Sequence, residues 1–150
     1  MEPLAITNND NFRIIGNYLC YKTGKKLAFL QPNIHFLGDQ RTSYVKSFEK
    51  GVAVKTSLGK YHSAIFFTNN GEKFAEANQD DFSSHILDMD ISVWEHGVLI
   101  STICKDATYY NFTFYNKRNI KTQDFDELLN KIYRVEKRRK STKKNIEKEG

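Results

Sequence analysis

Short apolar runs separated by turn residues make up most of the chain. Between residues 12 and 120 no window carries apolar residues at i, i+3, i+4 and i+7 for three turns, so a helical period is absent there. The runs 18–21 and 27–30 are joined by a polar, Gly-containing link, which is typical of a β-hairpin. Asn69-Asn70-Gly71-Glu72 is the strongest turn signal, because Asn and Gly tolerate a positive φ. The pattern predicts antiparallel strands arranged as β-meanders.

The hydrophobic period changes to that of an α-helix near the C-terminus. Apolar residues then recur on one helical face, at Phe125, Leu128, Leu129, Ile132 and Val135. Asp124 followed by Glu127 has the spacing of a capping box, and Thr122 is a competing N-cap. We therefore expect an amphipathic helix whose first turns pack on the β-strands.

The change of period divides the chain, which by its length is expected to be one domain, into a β body and a C-terminal helix. Residues 1–121 are expected to form an antiparallel β-repeat domain, with the first eleven residues as a lead-in or a frayed edge strand. Residues 122–150 are expected to form the C-terminal helix, which packs on that domain and extends into a basic tail from Arg134 onward. The fold class is therefore mainly β, with one C-terminal amphipathic helix.

Two stretches of the chain resemble each other. Residues 48–54 (FEKGVAV) recur as residues 94–100 (WEHGVLI), a separation of 46 residues, and each copy leads into a second apolar run that ends in Asn. A fixed period of this length is typical of a β-repeat architecture, in which neighbouring units bury one another.

Aromatic residues and glycines occupy equivalent places in the two copies. Phe48 and Trp94 are expected in the core, with base stacking or contact with a partner as the alternative. Gly51 and Gly97 are expected to supply a backbone conformation that a side chain would strain. Aromatic residues between 109 and 115 alternate over both faces of a strand. One face belongs to the core, and the other is either a stacking platform for bases or a second face covered by the helix.

Residues 48–73 resemble one copy of the WG-type β-repeat found in many bacterial proteins. The family pattern is an aromatic residue, a Gly, an apolar run, a turn around Gly-Lys, and an aromatic strand closed by an Asn/Asp-x-x-Gly-Lys turn. This chain has Gly59-Lys60 at the first turn and Asn69-Asn70-Gly71-Glu72-Lys73 at the second. Residues 94–120 match in part, and residues 12–36 share only Gly16 and the turn at Gly24-Lys25. Tyr61 is followed by His62, so the dipeptide that names the family is absent. The resemblance implies a β-meander repeat that binds other macromolecules and has no catalytic residues.

The net charge of +5 is concentrated at the C-terminus. Residues 131–150 hold nine basic and three acidic residues, a net charge of +6, which leaves the remainder of the chain at −1. We expect affinity for nucleic acid or another polyanion to lie almost wholly in this tail, and a solvated tail with no ligand is the alternative. The candidate nucleic-acid-binding residues are Arg134, Lys137, Arg138, Arg139, Lys140, Lys143 and Lys144.

Residues with catalytic potential do not form a recognised motif. Asp88 and Asp90 alternate on one face of a strand and are followed by Glu95, a geometry that two-metal nucleases also use. A hydrophilic strand edge or a loop is the simpler interpretation of these carboxylates. The four histidines have no metal-binding spacing, and Cys20 and Cys104 each lie in an apolar run, as buried reduced thiols do. We expect no catalytic residue, no metal site and no cofactor.

These observations favour a non-enzymatic binding or adaptor module. It would contact a protein partner through its β-strands, and the basic tail would add nonspecific nucleic-acid affinity. A small metal-dependent nucleic-acid-processing enzyme is the alternative, as is a stoichiometric inhibitor or accessory subunit of a nucleic-acid-bearing complex. With no secretion signal or membrane span visible in the sequence, we expect a cytoplasmic location, no membrane partner and no small-molecule ligand.

Overall fold

The structure of the chain, a computed structural model, describes residues 9–30, 35–36, 43–58 and 60–149, without the side chains of residues 35–36, 58 and 138–149. In chain order the elements are β1 (Phe12–Ile15), β2 (Tyr18–Tyr21), β3 (Lys26–Phe29), β4 (His35–Phe36), β5 (Tyr44–Phe48), β6 (Gly51–Leu58), β7 (Tyr61–Thr68), β8 (Lys73–Asn78), the 3-10 helix Gln79–Asp81, β9 (Ile86–Val93), β10 (Gly97–Cys104), β11 (Thr108–Phe114), β12 (Asn119–Thr122) and α1 (Phe125–Glu149). The predicted fold class, mainly β with one C-terminal amphipathic helix, is confirmed.

Within the described ranges, the strands form three sheets of sequence neighbours. Sheet 1 has the order β1-β2-β3, sheet 2 the order β4-β5-β6-β7-β8, and sheet 3 the order β12-β11-β10-β9. Neighbouring strands are antiparallel, as predicted, except that β4 pairs with β5 in parallel. Most of the lead-in (residues 1–8) lies outside the described residues.

Sheets 2 and 3 repeat the same strand register. In sheet 2, Gly51 begins β6 and pairs with Thr68, while in sheet 3, Gly97 begins β10 and pairs with Phe114. Both pairings are related by the separation of 46 residues that the sequence shows. The repeat in the sequence is therefore a repeat of strand pairing, and not of composition alone.

The expected role of the two glycines is wrong. Neither Gly51 nor Gly97 has a positive φ among the described residues. A Cβ atom at Gly51 would lie 2.0 Å from the carbonyl oxygen of Phe67, and one at Gly97 would lie 2.4 Å from that of Thr113. The paired strand, together with an aromatic ring on it, occupies the space that a side chain would need. Glycine is required here by close approach of the opposite strand.

The predicted turn at residues 69–72 is confirmed and occurs three times. Thr68 donates its N–H to the carbonyl of Glu72 at 2.9 Å, and Gly71 has a φ of +81°. Gly24 after β2 and Lys117 after β11 occupy the same place in their turns, with φ of +94° and +72°. Lys117 lies in the left-handed region that glycine favours. Sheet 1 therefore contains the same hairpin as the other two sheets.

Three buried clusters lie between successive layers of the fold. Sheet 1 packs on sheet 2 around Phe12, Leu19, Leu30, Val45, Val52, Val54 and Phe67. Sheet 2 packs on sheet 3 around residues that include Phe48, Phe66, Ala75, Ile86, Met89, Ile91 and Ile100. Sheet 3 packs on α1 around Trp94, Leu99, Phe112, Phe114, Ile120, Leu128, Ile132 and Val135. The helix thus covers the face that a further sheet would otherwise occupy, as terminal caps do in repeat proteins.

Asp124 is the N-cap of α1, as predicted. Its Oδ1 accepts hydrogen bonds from the N–H groups of Asp126, at 2.9 Å, and Glu127, at 3.1 Å. In the predicted capping box, the Glu127 side chain would accept the N–H of Asp124. Here Thr122 Oγ1 accepts that N–H instead, and the Thr122 hydroxyl donates to Glu127. Both candidate caps therefore take part in the start of the helix, which fixes its direction relative to β12.

Candidate nucleic-acid interface

The apolar stripe of α1 fixes the orientation of its basic residues. Leu128 and Ile132 are fully buried and Val135 is nearly so, all three against the outer face of sheet 3. Tyr133, one residue beyond Ile132 and off the stripe, is 62% exposed. The first three turns are thus anchored on the β-strands, and the helix continues to Glu149.

The seven predicted nucleic-acid-binding residues all lie on this one helix. Arg134 and Lys137 are exposed, as expected of residues beyond the buried stripe. The side chains of Arg138, Arg139, Lys140, Lys143 and Lys144 lie outside the described residues. Helical backbone continues through all seven positions, so the bases lie on a helix that extends the anchored turns.

Glu136 is less exposed than expected, because residues from Arg134 onward are predicted to be solvated. Its side chain is 19% exposed, and its Oε1 lies 3.5 Å from His96 Nε2, which itself lies 3.9 Å from Glu95. His96 is in the turn between β9 and β10. Beyond the end of its apolar stripe, the helix therefore still lies against sheet 3, with Glu136 close to His96.

A basic cleft of about 360 Å³ lies between β12 and α1. Arg118 and Lys121 line it from the β12 side, and Lys131 and Arg134 line it from the helix. Lys131 is paired with Glu127 at 2.9 Å, whereas no ion pair to the other three is formed by the described side chains. The cleft thus presents four cations from two elements of structure on one surface.

The sequence interpretation missed two members of this cleft. Arg118 and Lys121 belong to the electrically neutral part of the chain, outside residues 131–150. With Lys117 they form a short basic run, but nothing in that run indicates which element packs beside it. Only the packing of α1 along sheet 3 brings them beside Arg134. Folded residues therefore add basic surface to the tail, which alone was expected to supply it.

Asp88 and Asp90, the carboxylates of the enzymatic alternative, lie within β9, at the edge of sheet 3. This confirms the strand edge that was one of the two simpler interpretations. Asp88 forms an ion pair with Lys55, whose side chain is completely buried. Asp90 accepts a hydrogen bond from the Tyr44 hydroxyl at 2.8 Å and lies 3.9 Å from Lys46. The two carboxylates are therefore charge partners of cations on sheet 2.

Tyr44 covers part of the free edge of β9. Its buried hydroxyl accepts the N–H of Ile91 at 2.8 Å while donating to Asp90. Burial raises the pKa of Tyr44 well above its ordinary value, and the charge of Asp90 raises it further, so the phenol is neutral. The ammonium of Lys46 lies 4.2 Å from the centre of the Tyr44 ring. The Tyr44 hydroxyl thus occupies one backbone N–H of an edge strand and leaves less of that edge open to pairing.

Glu95 is not part of this arrangement. Its side chain is 74% exposed and lies beside His96, at the far end of β9 from Asp88. Within the part of the chain that the structure describes, no three His, Cys, Asp or Glu side chains are grouped so that they could hold a metal ion. Glu95 therefore lies apart from Asp88 and Asp90, the other two carboxylates of the metal-dependent alternative.

Two histidines that are distant in the sequence approach each other. The rings of His62 and His85 are 6.2 Å apart, and His62 Nδ1 lies 2.9 Å from Ser57 Oγ. Burial lowers the pKa of His62, and the nearby charge of Lys55 lowers it further. Their sequence spacing carries no signal of this proximity. Both histidines lie at the sheet 2–sheet 3 boundary, near the Lys55–Asp88 ion pair.

The aromatic residues of β11 are covered on both faces. Phe112 and Phe114 are fully buried in the cluster beneath α1, against which Tyr110 also packs. Tyr109 points the other way and packs against the core between sheets 2 and 3. The second covered face is therefore confirmed in place of an open stacking platform. Trp94, which is 4% exposed, is a core residue, as expected.

The buried state of the thiols is also confirmed, since Cys20 and Cys104 are both free and buried. Among the described residues, no helix combines the length and the apolar character needed to cross a membrane.

Comparison with protein-family models, curated proteins and solved structures gives no match for the chain.

Proposed function

We propose that this chain is a non-enzymatic binding or adaptor module with nonspecific affinity for nucleic acid, supplied by its basic C-terminal helix. The observation that carries the proposal is the basic cleft between β12 and α1, in which Arg118, Lys121, Lys131 and Arg134 converge. The cleft leads directly onto the helical segment that holds Lys137 and the remaining tail bases. A cytoplasmic setting and the absence of a membrane partner belong to the same proposal.

Phosphate groups fit this surface better than other anions of low charge. Each phosphate that a basic side chain neutralises releases condensed counterions, which favours binding without reading the sequence. Arg118 and Arg134 carry planar guanidinium groups that suit phosphate oxygens, and Lys121 adds a compact positive charge to the lining of the cleft. A polymer with regularly spaced phosphates can use both the cleft and the helix beyond it.

A protein partner would bind through the β-strands. Leu87 on β9 is 53% exposed and Ile103 on β10 is 44% exposed, and the two strands are paired next to each other. Ile15 and Phe29 of sheet 1 are similarly exposed, at 54% and 46%. Large apolar side chains left in solvent on neighbouring strands favour contact with another protein surface. This supports the adaptor function, in which protein and nucleic acid occupy different surfaces.

A salt series with two lengths of chain tests the nucleic-acid affinity. The full chain should bind DNA and RNA with a slope of log K against log salt of roughly −3 to −5, if four to six bases engage phosphates. Truncation after Val135 removes seven bases and keeps the buried stripe, so the fold should survive while affinity falls steeply. The residual slope of the truncated chain measures the contribution of the cleft.

Two double variants distinguish the effect of charges in the cleft from the effect of charges elsewhere on the surface. Arg118→Ala with Lys121→Ala should reduce the salt slope by about 2, because each phosphate contact contributes roughly −0.9 on duplex DNA. The matched control is Lys25→Ala with Lys60→Ala, which removes the same charge from exposed positions on sheets 1 and 2. Equal effects of the two double variants, or no binding by the full chain, would refute the proposal.

Metal-dependent nuclease activity would overturn the non-enzymatic assignment. The decisive measurement incubates the purified chain with DNA and RNA in the presence of Mg²⁺ or Mn²⁺. Turnover that disappears in Asp90→Asn, while the melting temperature is kept, would establish the enzymatic alternative. Stoichiometric inhibition of a nucleic-acid-bearing complex, with no turnover, would instead place the chain among inhibitors or accessory subunits.

A further inference from the structure

One end of the layered fold collects hairpin turns from sheets 1 and 2. The side chain of Asn9, just before β1, donates to the Phe48 carbonyl at 2.9 Å, beside the turn between β5 and β6. The same amide donates to Asn69 at 2.6 Å, in the turn between β7 and β8. A Cβ atom on Gly71 of that turn would lie 3.1 Å from the ring of Tyr21, at the end of β2. The turns of the two sheets therefore lie side by side.

The turns of sheet 3 and the end of the anchored part of α1 lie at the same end. The Tyr115 ring is 5.5 Å from that of Phe74, at the start of β8, and the Lys50 ammonium is 4.2 Å from its centre. α1 begins at the opposite end, after β12, and reaches this one at Glu136, beside His96. The helical turns after Glu136 therefore extend past it. We call this end the hairpin end and define it by residues 9–11, 22–26, 49–50, 69–73, 95–96 and 115–118.

The two ends of the fold carry opposite net charges. With His counted as neutral, the hairpin end has seven basic and four acidic residues, a net charge of +3. The other described turns and connections form the linker end, which has two basic and six acidic residues, a net charge of −4. The linker end comprises residues 16–17, 60, 79–85, 105–107 and 123–127. The acids of the hairpin end are Asp10, Glu49, Glu72 and Glu95. The part of the chain outside the tail is therefore neutral in total but not in distribution.

The positive charge of the hairpin end forms two groups with a neutral layer between them. The turns of sheet 2, at residues 49–50 and 69–73, have two lysines and two glutamates and contribute no net charge. In sheet 1, residues 22–26 include three exposed lysines. In sheet 3, Lys117 and Arg118 are both exposed. Arg118 also lines the basic cleft, so the second group continues onto α1.

The separation of the two groups favours a stiff polyanion. Sheets that pack face to face lie about 10 Å apart, which places the turns of sheets 1 and 3 roughly 20 Å apart. Duplex DNA stays straight over this distance, because its persistence length is about 150 base pairs, and its phosphates lie on the outside. A duplex can therefore contact both groups at once without being ordered by binding.

The hairpin end suits phosphates better than unpaired bases. The aromatic rings beside its turns, those of Tyr21, Phe74 and Tyr115, are half-buried in contacts within the chain. They offer the bases of a single strand little surface for stacking, which is the main source of affinity in single-strand binding. The exposed basic groups remain for contact with a phosphate backbone.

We propose that the hairpin end is the surface on which double-stranded nucleic acid lies. Its phosphates contact the lysines of residues 22–26 and the Lys117–Arg118 pair, while the part of α1 beyond Glu136 extends past this end and binds the same duplex. The acidic linker end faces away from the duplex. This inference rests on the proposed nucleic-acid affinity and adds to it the binding surface and the form of the nucleic acid.

Two double variants of equal charge compare the two ends. Lys22→Ala with Lys25→Ala should reduce the salt slope for duplex DNA by about 2, because each phosphate contact contributes roughly −0.9. Lys60→Ala with Lys105→Ala removes both bases of the linker end, which are exposed as well, and should leave the slope unchanged. Lys25→Ala with Lys60→Ala removes one base from each end, so its slope should fall by about 1. The melting temperature of each variant shows whether the fold is kept.

Lysine footprinting locates the duplex on the unaltered chain and does not depend on how any variant folds. The chain is acetylated with and without a DNA duplex of about 20 base pairs, two helical turns, and the modified lysines are quantified by mass spectrometry. Lys22, Lys25 and Lys117 should react several-fold more slowly with the duplex present. Lys60 and Lys105 should react at the same rate in both samples.

The outcomes distinguish this inference from the proposed function. Equal salt slopes in the Lys22/Lys25 and Lys60/Lys105 variants would overturn the hairpin-end surface and leave the affinity of the tail in place. Equal protection of lysines at both ends would do the same. Tighter binding of a single strand than of a duplex of the same length would overturn the assignment to duplex. If neither binds the full chain at low salt, the proposed nucleic-acid function fails, and the surface fails with it.

Discussion

Sheet 3 makes two interfaces that use equivalent positions of the repeat. Phe48 and Phe66 pack between sheets 2 and 3, whereas their counterparts 46 residues later, Trp94 and Phe112, pack between sheet 3 and α1. The repeat thus specifies which face of a sheet is apolar and leaves the partner of that face unspecified. A neighbouring sheet covers this face in one copy, and a helix covers it in the other.

The two interfaces differ in their polar contacts. The sheet 2–sheet 3 boundary contains the Lys55–Asp88 ion pair and the Tyr44–Asp90 hydrogen bond. The position equivalent to Lys55 in sheet 3 is Ser101, so the second copy lacks the buried cation. The helix interface is apolar, apart from the peripheral contact of His96 with Glu136. Apolar packing is therefore repeated, whereas the charge pairs are particular to one boundary.

The largest effect should come from breaking the ion pair at the sheet boundary. Asp88→Asn removes the charge opposite the completely buried Lys55. We expect the free energy of unfolding to fall by roughly 3 kcal/mol, at the lower end for buried pairs because the Asp88 side chain is 34% exposed. Urea denaturation followed by tryptophan fluorescence measures this loss.

A double variant sharpens the interpretation of that result. Lys55→Met combined with Asp88→Asn removes both charges, and replacement of a buried pair by apolar groups is often close to neutral. The double variant should therefore recover most of the stability lost in Asp88→Asn. If the single variant unfolds at the same urea concentration as the parent, the ion pair does not contribute to stability.

The apolar helix interface should be broken by Leu128→Ala. Leu128 is completely buried on the face of α1 that packs on sheet 3, so the substitution should cost about 2–3 kcal/mol, in the lower part of the range for core leucines. Leu129 is only partly buried, and Leu129→Ala should therefore cost less. Tyr133→Ala, at a position 62% exposed on the same helix, is the control. An unchanged melting temperature in Leu128→Ala would mean that α1 is not docked in solution.

The smallest effect should be a loss of stability in alkali. Burial raises the pKa of Tyr115 to about 12 from its ordinary 10.0, and burial likewise raises that of Tyr44. Both phenols keep their protons in the folded chain while the unfolded chain ionises, so stability is fully present below pH 10 and falls above it.

Tyr115→Phe isolates one of these two groups. The variant loses the Tyr115 hydroxyl, which lies 3.3 Å from the Trp94 carbonyl, and its stability should fall less steeply between pH 10 and 12. The measurement is a set of urea denaturations across that pH range. A variant with the same slope as the parent would show that the titration of Tyr115 is not linked to folding.

Much of the fold follows from local patterns. The turn at residues 69–72 and the hairpin through residues 22–25 were predicted from turn chemistry, and both form. The stripe from Leu128 to Val135 and the cap at Asp124 were likewise predicted from helical period and capping preference. These features depend on residues within a few positions of one another, so a single sequence contains the necessary information.

The candidate site was predicted only in part. The basic helix could be identified from its charge, and Arg134 and Lys137 are exposed as expected. Arg118 and Lys121 could not be assigned to the same surface, because nothing in their neighbours indicates which element packs beside them. The role of Gly51 was likewise misjudged, since it depends on the opposite strand and not on the conformation of its own backbone.

The sequence by itself determined the strands, the repeated turns, the capped helix and the uneven distribution of charge, because hydrophobic period, turn residues and net charge are local or additive properties. The tertiary structure decided which surfaces meet. It paired Lys55 with Asp88, 33 positions apart, placed α1 over sheet 3, and brought Arg118 and Lys121 to the basic cleft. Such pairings depend on how whole layers stack, and therefore on side chains that lie far apart along the chain.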